Sequence, residues 1–147
     1  MAKSTFEEVI AEQGVLVYTN VGDSMYPLIK ARDLLVIKKP DYPLKRFDVP
    51  LYKRDNGQYV LHRIVRVRKG RYFICGDNRA EIETGVTDRH IIGVLTDIIR
   101  KEKMISVYRF DKRIYAFLWC NYPLKKTLFY MKAVLRRIAR CFKKDAK

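Results

Sequence analysis

Seven short runs rich in β-branched and aromatic residues, parted by turn material along residues 15–110, constrain this chain more than any other feature. They are Val15–Thr19, Leu34–Lys38, Val49–Lys53, Tyr59–Val67, Arg71–Cys75, Ile91–Ile99 and Met104–Phe110. Between them lie Asp55-Asn56-Gly57 and Lys69-Gly70, residue types that favour tight turns. Runs of this length and spacing predict a mostly β domain whose antiparallel sheet coils into a barrel-like body. Ahead of it, Ser4 followed by Glu7 forms a capping-box pattern, and Phe6, Val9 and Ile10 give a short N-terminal helix one apolar face, with Gly14 as its stop. Lys69-Gly70 reads as a tight hairpin, which lays the strand holding His62 beside the strand ending at Cys75.

Charge divides the chain. Residues 1–100 hold 17 basic and 13 acidic groups, residues 101–147 hold 14 and 3, so the basicity belongs to the C-terminal part. This predicts a body over residues 1–110 and a basic extension over 111–147, and the body itself need not bind nucleic acid. In the extension Leu124, Leu128, Met131, Leu135, Ile138 and Phe142 recur at helical spacing with lysine and arginine between them, which predicts a basic amphipathic helix. Two roles are open to it. Its stripe packs on the body with a solvated basic face outside, or residues 113–144 lie on an anionic membrane surface with Tyr115, Trp119 and Tyr122 at the interface. Nucleic acid is disfavoured as a partner, because the aromatics precede the basic run instead of alternating with it. The most apolar window, Ile114 to Leu124, is too short for the ~20 residues that span a bilayer.

Cys75, Cys120 and Cys141 are odd in number and lack metal-ligand spacing. They predict no disulfide framework and a reducing compartment, and no metal or cofactor is expected. Met1 to Gly14 carries Glu7, Glu8 and Glu12 and no apolar run, so no signal peptide is legible there. The expected location is the cytoplasm, peripheral to the inner face of the membrane if the extension binds lipid.

Three stretches carry chemistry: Val21-Gly-Asp-Ser-Met-Tyr-Pro-Leu28, Val60-Leu-His-Arg-Ile-Val65 and Cys75-Gly-Asp-Asn78. A serine hydroxyl needs a base within reach to act as a nucleophile, and His62, set in an otherwise apolar run, is the candidate. Ser24 lies in a turn that Gly22 loosens and Pro27 stiffens, a setting that presents its Oγ while Met25 packs inward. Asp77, at the end of the strand paired with the histidine strand, is positioned to hold the imidazole in one tautomer. Asp88 is the second candidate for that third place. His90 reads as a loop residue, and Asp23 as a solvated turn residue.

Gly22-Asp-Ser-Met-Tyr-Pro27 resembles the serine box of the superfamily that joins type I signal peptidases with LexA-type self-cleaving repressors. Arg32-Asp-Leu-Leu-Val-Ile37 is similar to the strand that follows that box. His62-Arg63 matches the place where bacterial members carry Lys-Arg and archaeal and endoplasmic-reticulum signal peptidases carry His-Arg. Gly76-Asp77-Asn78 and Ile92-Gly93-Val94 match the closing box and the last core strand. The resemblance covers residues 14–100 in order and implies a peptidase with Ser24 as nucleophile and His62 as general base. A neutral imidazole, with a reference pKa near ~6.5, is available without the desolvation a catalytic lysine needs, so the site need not be as dry. Where signal peptidases carry a serine two residues before the nucleophile this chain has Gly22, which leaves the oxyanion to backbone N–H groups. Neither a signal-peptidase anchor nor a repressor DNA-binding domain is legible ahead of the box.

The expected function is that of a serine endopeptidase acting on an extended peptide laid along a strand edge, with small residues beside the scissile bond implied by the resemblance. Self-cleavage is disfavoured, since the one Cys-Gly pair, Cys75-Gly76, falls in a core strand. The rival is a non-catalytic membrane-surface or nucleic-acid adaptor that keeps a peptidase-like fold.

Overall fold

Thr5 starts the first helix, α1 (Phe6–Gln13), with a reciprocal capping box: its hydroxyl accepts the Glu8 N–H at 3.3 Å and its own N–H donates to the Glu8 carboxylate at 2.8 Å. The box lies one residue later than the Ser4/Glu7 pattern suggests. Glu7 is engaged elsewhere, accepting from Lys53 Nζ at 2.9 Å and the Tyr59 hydroxyl at 2.7 Å. Gly14, at φ 72°, ends the helix in the left-handed conformation that glycine adopts without strain. Residues 4–144 are described in this computed structural model, with the side chains of Tyr122, Lys132 and residues 140–144 left aside.

The strands that follow are β1 (Val15–Thr19), β2 (Leu34–Lys38), β3 (Pro50–Lys53), β4 (Tyr59–Leu61), β5 (Arg63–Arg68), β6 (Arg71–Cys75), β7 (Glu83–Val86), β8 (Ile91–Arg100) and β9 (Lys103–Ser106). The larger sheet runs β1-β2-β8-β3-β4, with β9 also paired to β8, and the smaller runs β5-β6-β7; every pairing is antiparallel. The protein is thus mostly β, and the larger sheet curls strongly into a half-barrel. Long β8 is its spine. The β2–β8 ladder breaks register between Val36 and Ile37, and the β3–β8 ladder between Leu51 and Tyr52. Such bulges add twist and bend the sheet on itself. Leu35, Ile37, Leu95 and Ile98 line the inside with almost no exposure, and Ile10 of α1 joins them. Gly93 makes room for that helix: a Cβ there would stand 2.9 Å from Ile10 Cδ1 and closer still to Ile37.

The run from Tyr59 to Val67, one strand by sequence, is divided. Up to Leu61 it pairs with β3 in the larger sheet, and from Arg63 it pairs with β6 in the smaller one. His62 is the corner where the chain changes sheets. The Lys69-Gly70 hairpin forms as expected, with both residues at positive φ (49° and 69°), as a two-residue turn matching strand twist requires. Its register sets Arg63 opposite Cys75, which delivers Gly76 to the neighbourhood of His62.

Two further elements differ from the sequence reading. The stretch 79–88, outside the seven β-rich runs, contains β7, and the run expected as a strand to Phe110 stops at Ser106. Helix α2 (Phe110–Trp119) takes over, with Asp111 in its first turn where a carboxylate suits the positive end of the helix dipole. Helix α3 (Tyr122–Lys144) is the last described element. No described helix is long and apolar enough to cross a membrane.

Candidate active site

Ser24 sits in a loop clamped at its base. Asp33, almost completely buried, accepts the Lys30 N–H at 2.7 Å and two bonds from the Arg100 guanidinium at 2.9 and 2.6 Å, and Arg100 also reaches the Leu28 carbonyl at 2.9 Å. Burial alone would raise the Asp33 carboxyl, but these donors outweigh it and hold it below the usual carboxylate range. Met25, Leu28 and Ile29 anchor the loop in the core, as the turn pattern predicts for Met25, while Ser24 stays partly accessible. Gly22 has φ 130°, a conformation that side-chain-bearing residues rarely adopt.

The Gly76–Asn78 segment closes on this loop from the other side. The Asn78 N–H donates to the Ser24 carbonyl at 2.7 Å, and the exposed Asp23 carboxylate takes Arg79 at 2.6 Å and the Asn78 amide at 3.2 Å. A Cβ on Gly76 would stand 2.8 Å from the Ser24 carbonyl oxygen and 3.1 Å from His62 Nε2. One missing methyl group therefore marks where the serine backbone and the imidazole meet. Ser24 and His62 line one cleft of about 580 Å³, with Tyr18 of β1 on one flank and Tyr59 of β4 on the other. β1 and β4 end the β1-β2-β8-β3-β4 path of the larger sheet, so the cleft occupies the gap between its two terminal strands. Phe6 fills part of that gap, with ring centroids 5.4 Å from Tyr18 and 4.9 Å from Tyr59. Another cavity, of about 700 Å³ and bordered by His90, is lined by neither Ser24 nor His62.

The third residue is not where the sequence puts it. Both oxygens of Asp77 are occupied by Arg63, at 2.9 and 2.8 Å, and the Tyr115 hydroxyl adds a bond at 3.0 Å. Arg63 and Asp77 are among the most buried charged residues, 3% and 1% exposed. Arginine offers a planar fork that satisfies a carboxylate completely, so Asp77 is held away from the histidine it was expected to orient. Asp88 serves in the same way as an anchor: its Oδ1 accepts the Tyr72 hydroxyl. Among the described residues neither carboxylate is hydrogen-bonded to the His62 ring. His90 stands in the short turn before β8 with its Nδ1 on the Thr87 N–H at 3.0 Å.

Burial pushes the His62 imidazole down to about 4, and the Arg54 and Arg79 guanidiniums add to the effect. The imidazole is half-buried and lines an open cleft, so it is desolvated enough to lose proton affinity without being cut off from water. Glu83 acts in the opposite direction, more strongly than Asp77. It shares a second hollow of about 490 Å³ with His62, Arg54 and Arg79. Arg54, bonded twice, holds the Glu83 carboxyl below its ordinary range, and the Tyr52 hydroxyl donates to it at 2.7 Å. Sequence reasoning missed Glu83, because Glu83-Thr-Gly-Val86 is short, contains a glycine, and lies outside the seven β-rich runs.

The extension also reaches the site. The Trp119 indole N–H donates to the Asp77 carbonyl at 2.5 Å, and Lys125 Nζ to the Gly76 carbonyl at 2.6 Å. Tyr115 and Trp119, two of the three aromatics expected at a membrane interface, bond to Asp77, the phenol to its carboxylate and the indole to its carbonyl; the Tyr122 side chain lies outside the described residues. Cys75 and Cys120 are buried free thiols.

Compared with known proteins, the chain matches no protein-family model and no curated sequence. The side chains themselves must carry the assignment.

Two measurements check this geometry. Asp77→Asn should lower the unfolding free energy in urea by about 3–5 kcal/mol, because it strands the Arg63 charge in the interior. His62 binds fewer protons folded than unfolded between its native value of about 4 and the ordinary ~6.5. Its contribution to stability is therefore complete above ~6.5 and is lost as pH falls towards 4. In His62→Gln the urea midpoint should fall less steeply over that window than in the wild type.

Proposed function

We propose that the chain is a serine endopeptidase whose fold and boxes are those of the signal peptidase and LexA-type superfamily. The observation that carries this reading is that Ser24 and His62 line one cleft between strands β1 and β4, with Gly76 lying against both the Ser24 carbonyl oxygen and the imidazole. An extended peptide entering the gap gains main-chain hydrogen bonds from the β1 and β4 edges, the strand-addition mode of recognition.

The reaction proceeds in two halves. Ser24 Oγ attacks the scissile carbonyl carbon, His62 takes the hydroxyl proton, and the carbonyl oxygen becomes an oxyanion held by backbone N–H groups of the serine turn. Collapse breaks the C–N bond, and His62 hands its proton to the departing amine. Water then adds to the acyl ester with His62 again as base, and the acid product leaves with Ser24 restored. The imidazolium formed at each stage is unfavourable in a buried position, and the negative charges of Glu83 and Asp77 offset part of that cost. Asp77 serves as a positioning residue, holding the strand after His62 through Arg63.

A peptide-library cleavage assay tests the reading. The wild type should cut, and Ser24→Ala and His62→Ala should each lower kcat/KM by roughly 10³-fold or more with unchanged melting behaviour; full activity in either variant would overturn it. Gly76→Ala should keep the fold but push Ser24 and His62 apart, costing on the order of 10²-fold in kcat with little change in KM.

A further inference from the structure

Helix α3 does not pack its apolar stripe on the body. Lys125 is buried, 5% exposed, with its ammonium on the Gly76 carbonyl, while its apolar neighbours Leu124 and Leu128 are 45% and 36% exposed. Farther along, Met131, Leu135 and Ile138 of the same stripe are exposed as well, and every described side chain from Tyr130 to Ala139 is accessible. The body-packing role that the sequence left open for the stripe is therefore not the one adopted. Helix α2 adds Phe110, Ile114 and Leu118, exposed in turn. At 23 residues and 1.5 Å each, α3 is about 35 Å long.

What covers such a stripe is decided by its charge. Residues 122–144 contain eight lysines and arginines and no acidic residue. The 4-3-4-3-4 spacing of the stripe would suit a coiled-coil seam, but a second copy would lay eight positive charges beside eight others with no carboxylate to pair them. A nucleic acid would meet the charges and leave the leucines in water. A surface both anionic and apolar beneath satisfies both faces at once.

We propose that α3, with the exposed face of α2, docks in the headgroup layer of an anionic lipid bilayer, its leucine stripe inserted and its basic side chains among the phosphates. Lys125 and Trp119 connect this surface to the Gly76–Asp77 backbone, so docking holds the Ser24 cleft at the membrane. The surface does not depend on the peptidase reading: Ser24→Ala binds vesicles as the wild type does, whatever the cleavage assay gives.

The test is co-sedimentation of the full chain with phosphatidylcholine vesicles, with and without about 30% phosphatidylglycerol. Anionic vesicles should bind roughly tenfold or more of the protein bound by neutral ones, with loss at high salt. The double variant Leu128→Asp/Leu135→Asp, whose sites are solvent-facing and whose fold is checked by near-ultraviolet circular dichroism, should lose binding by a similar factor. Equal binding to neutral vesicles, no binding to either, or full binding by the double variant would overturn the proposal. So would a dimer in sedimentation velocity that this variant dissociates while vesicles bind neither form.

Discussion

The buried ion pair between Arg63 and Asp77 is the constraint on which the rest of the site depends. Arg63 follows the corner residue His62, and Asp77 follows the gap residue Gly76, so a two-pronged bond between them fixes both at once. Arg63 also donates to the Phe47 carbonyl at 3.0 Å, which ties the corner to the loop ahead of β3. A pair this dry adds little net stability compared with apolar side chains of the same shape, because two charges must leave water. Here it specifies one arrangement of the corner and the loop, and a shift of either would separate His62 from the serine turn. Tyr115, Trp119 and Lys125 brace the same loop from outside, so the C-terminal helices belong to the support of the site.

This arrangement sets the electrostatic character of the histidine. Desolvation keeps the imidazole neutral at neutral pH, and in the proposed peptidase a base of low proton affinity gives a smaller driving force for proton removal. Glu83, held in place by Arg54 and Tyr52, and Asp77, held by Arg63, offset that weakness through their charge without touching the ring. In the proposed peptidase the histidine is itself partly desolvated, which lowers its proton affinity. It makes desolvation compatible with an unprotonated base.

Much of this was legible in the sequence, for local reasons. The Lys69-Gly70 hairpin and the stop at Gly14 depend on residue type over a few positions and are found where the pattern places them. Most of the strand-rich runs hold strands, though Tyr59–Val67 is divided and the strand in the last run ends at Ser106. The hairpin register alone carries Gly76 to His62. The errors concern competition between partners. Asp77 was expected on the histidine because the hairpin brings them near, but Arg63 is nearer, charged and better shaped for a carboxylate. Ser4/Glu7 loses to Thr5/Glu8 because Lys53 and Tyr59, far along the chain, claim Glu7. Tyr115 and Trp119 look interfacial beside a basic helix, yet their polar atoms are used by the backbone and carboxylate of Asp77. The division of the Tyr59–Val67 run at His62 has no local signal beyond a polar pair in an apolar run.

The most direct measurement of the juxtaposition of Ser24 and His62 is an NMR titration of the His62 ring, alone and with a peptide boronate bound. The free protein should show a pKa of about 4. Tetrahedral boronate on the Ser24 oxygen places a negative charge beside the ring and should raise that value by about 2 units or more. A free value near ~6.5, or a boronate adduct on Ser24 that leaves the His62 titration unmoved, would contradict the account.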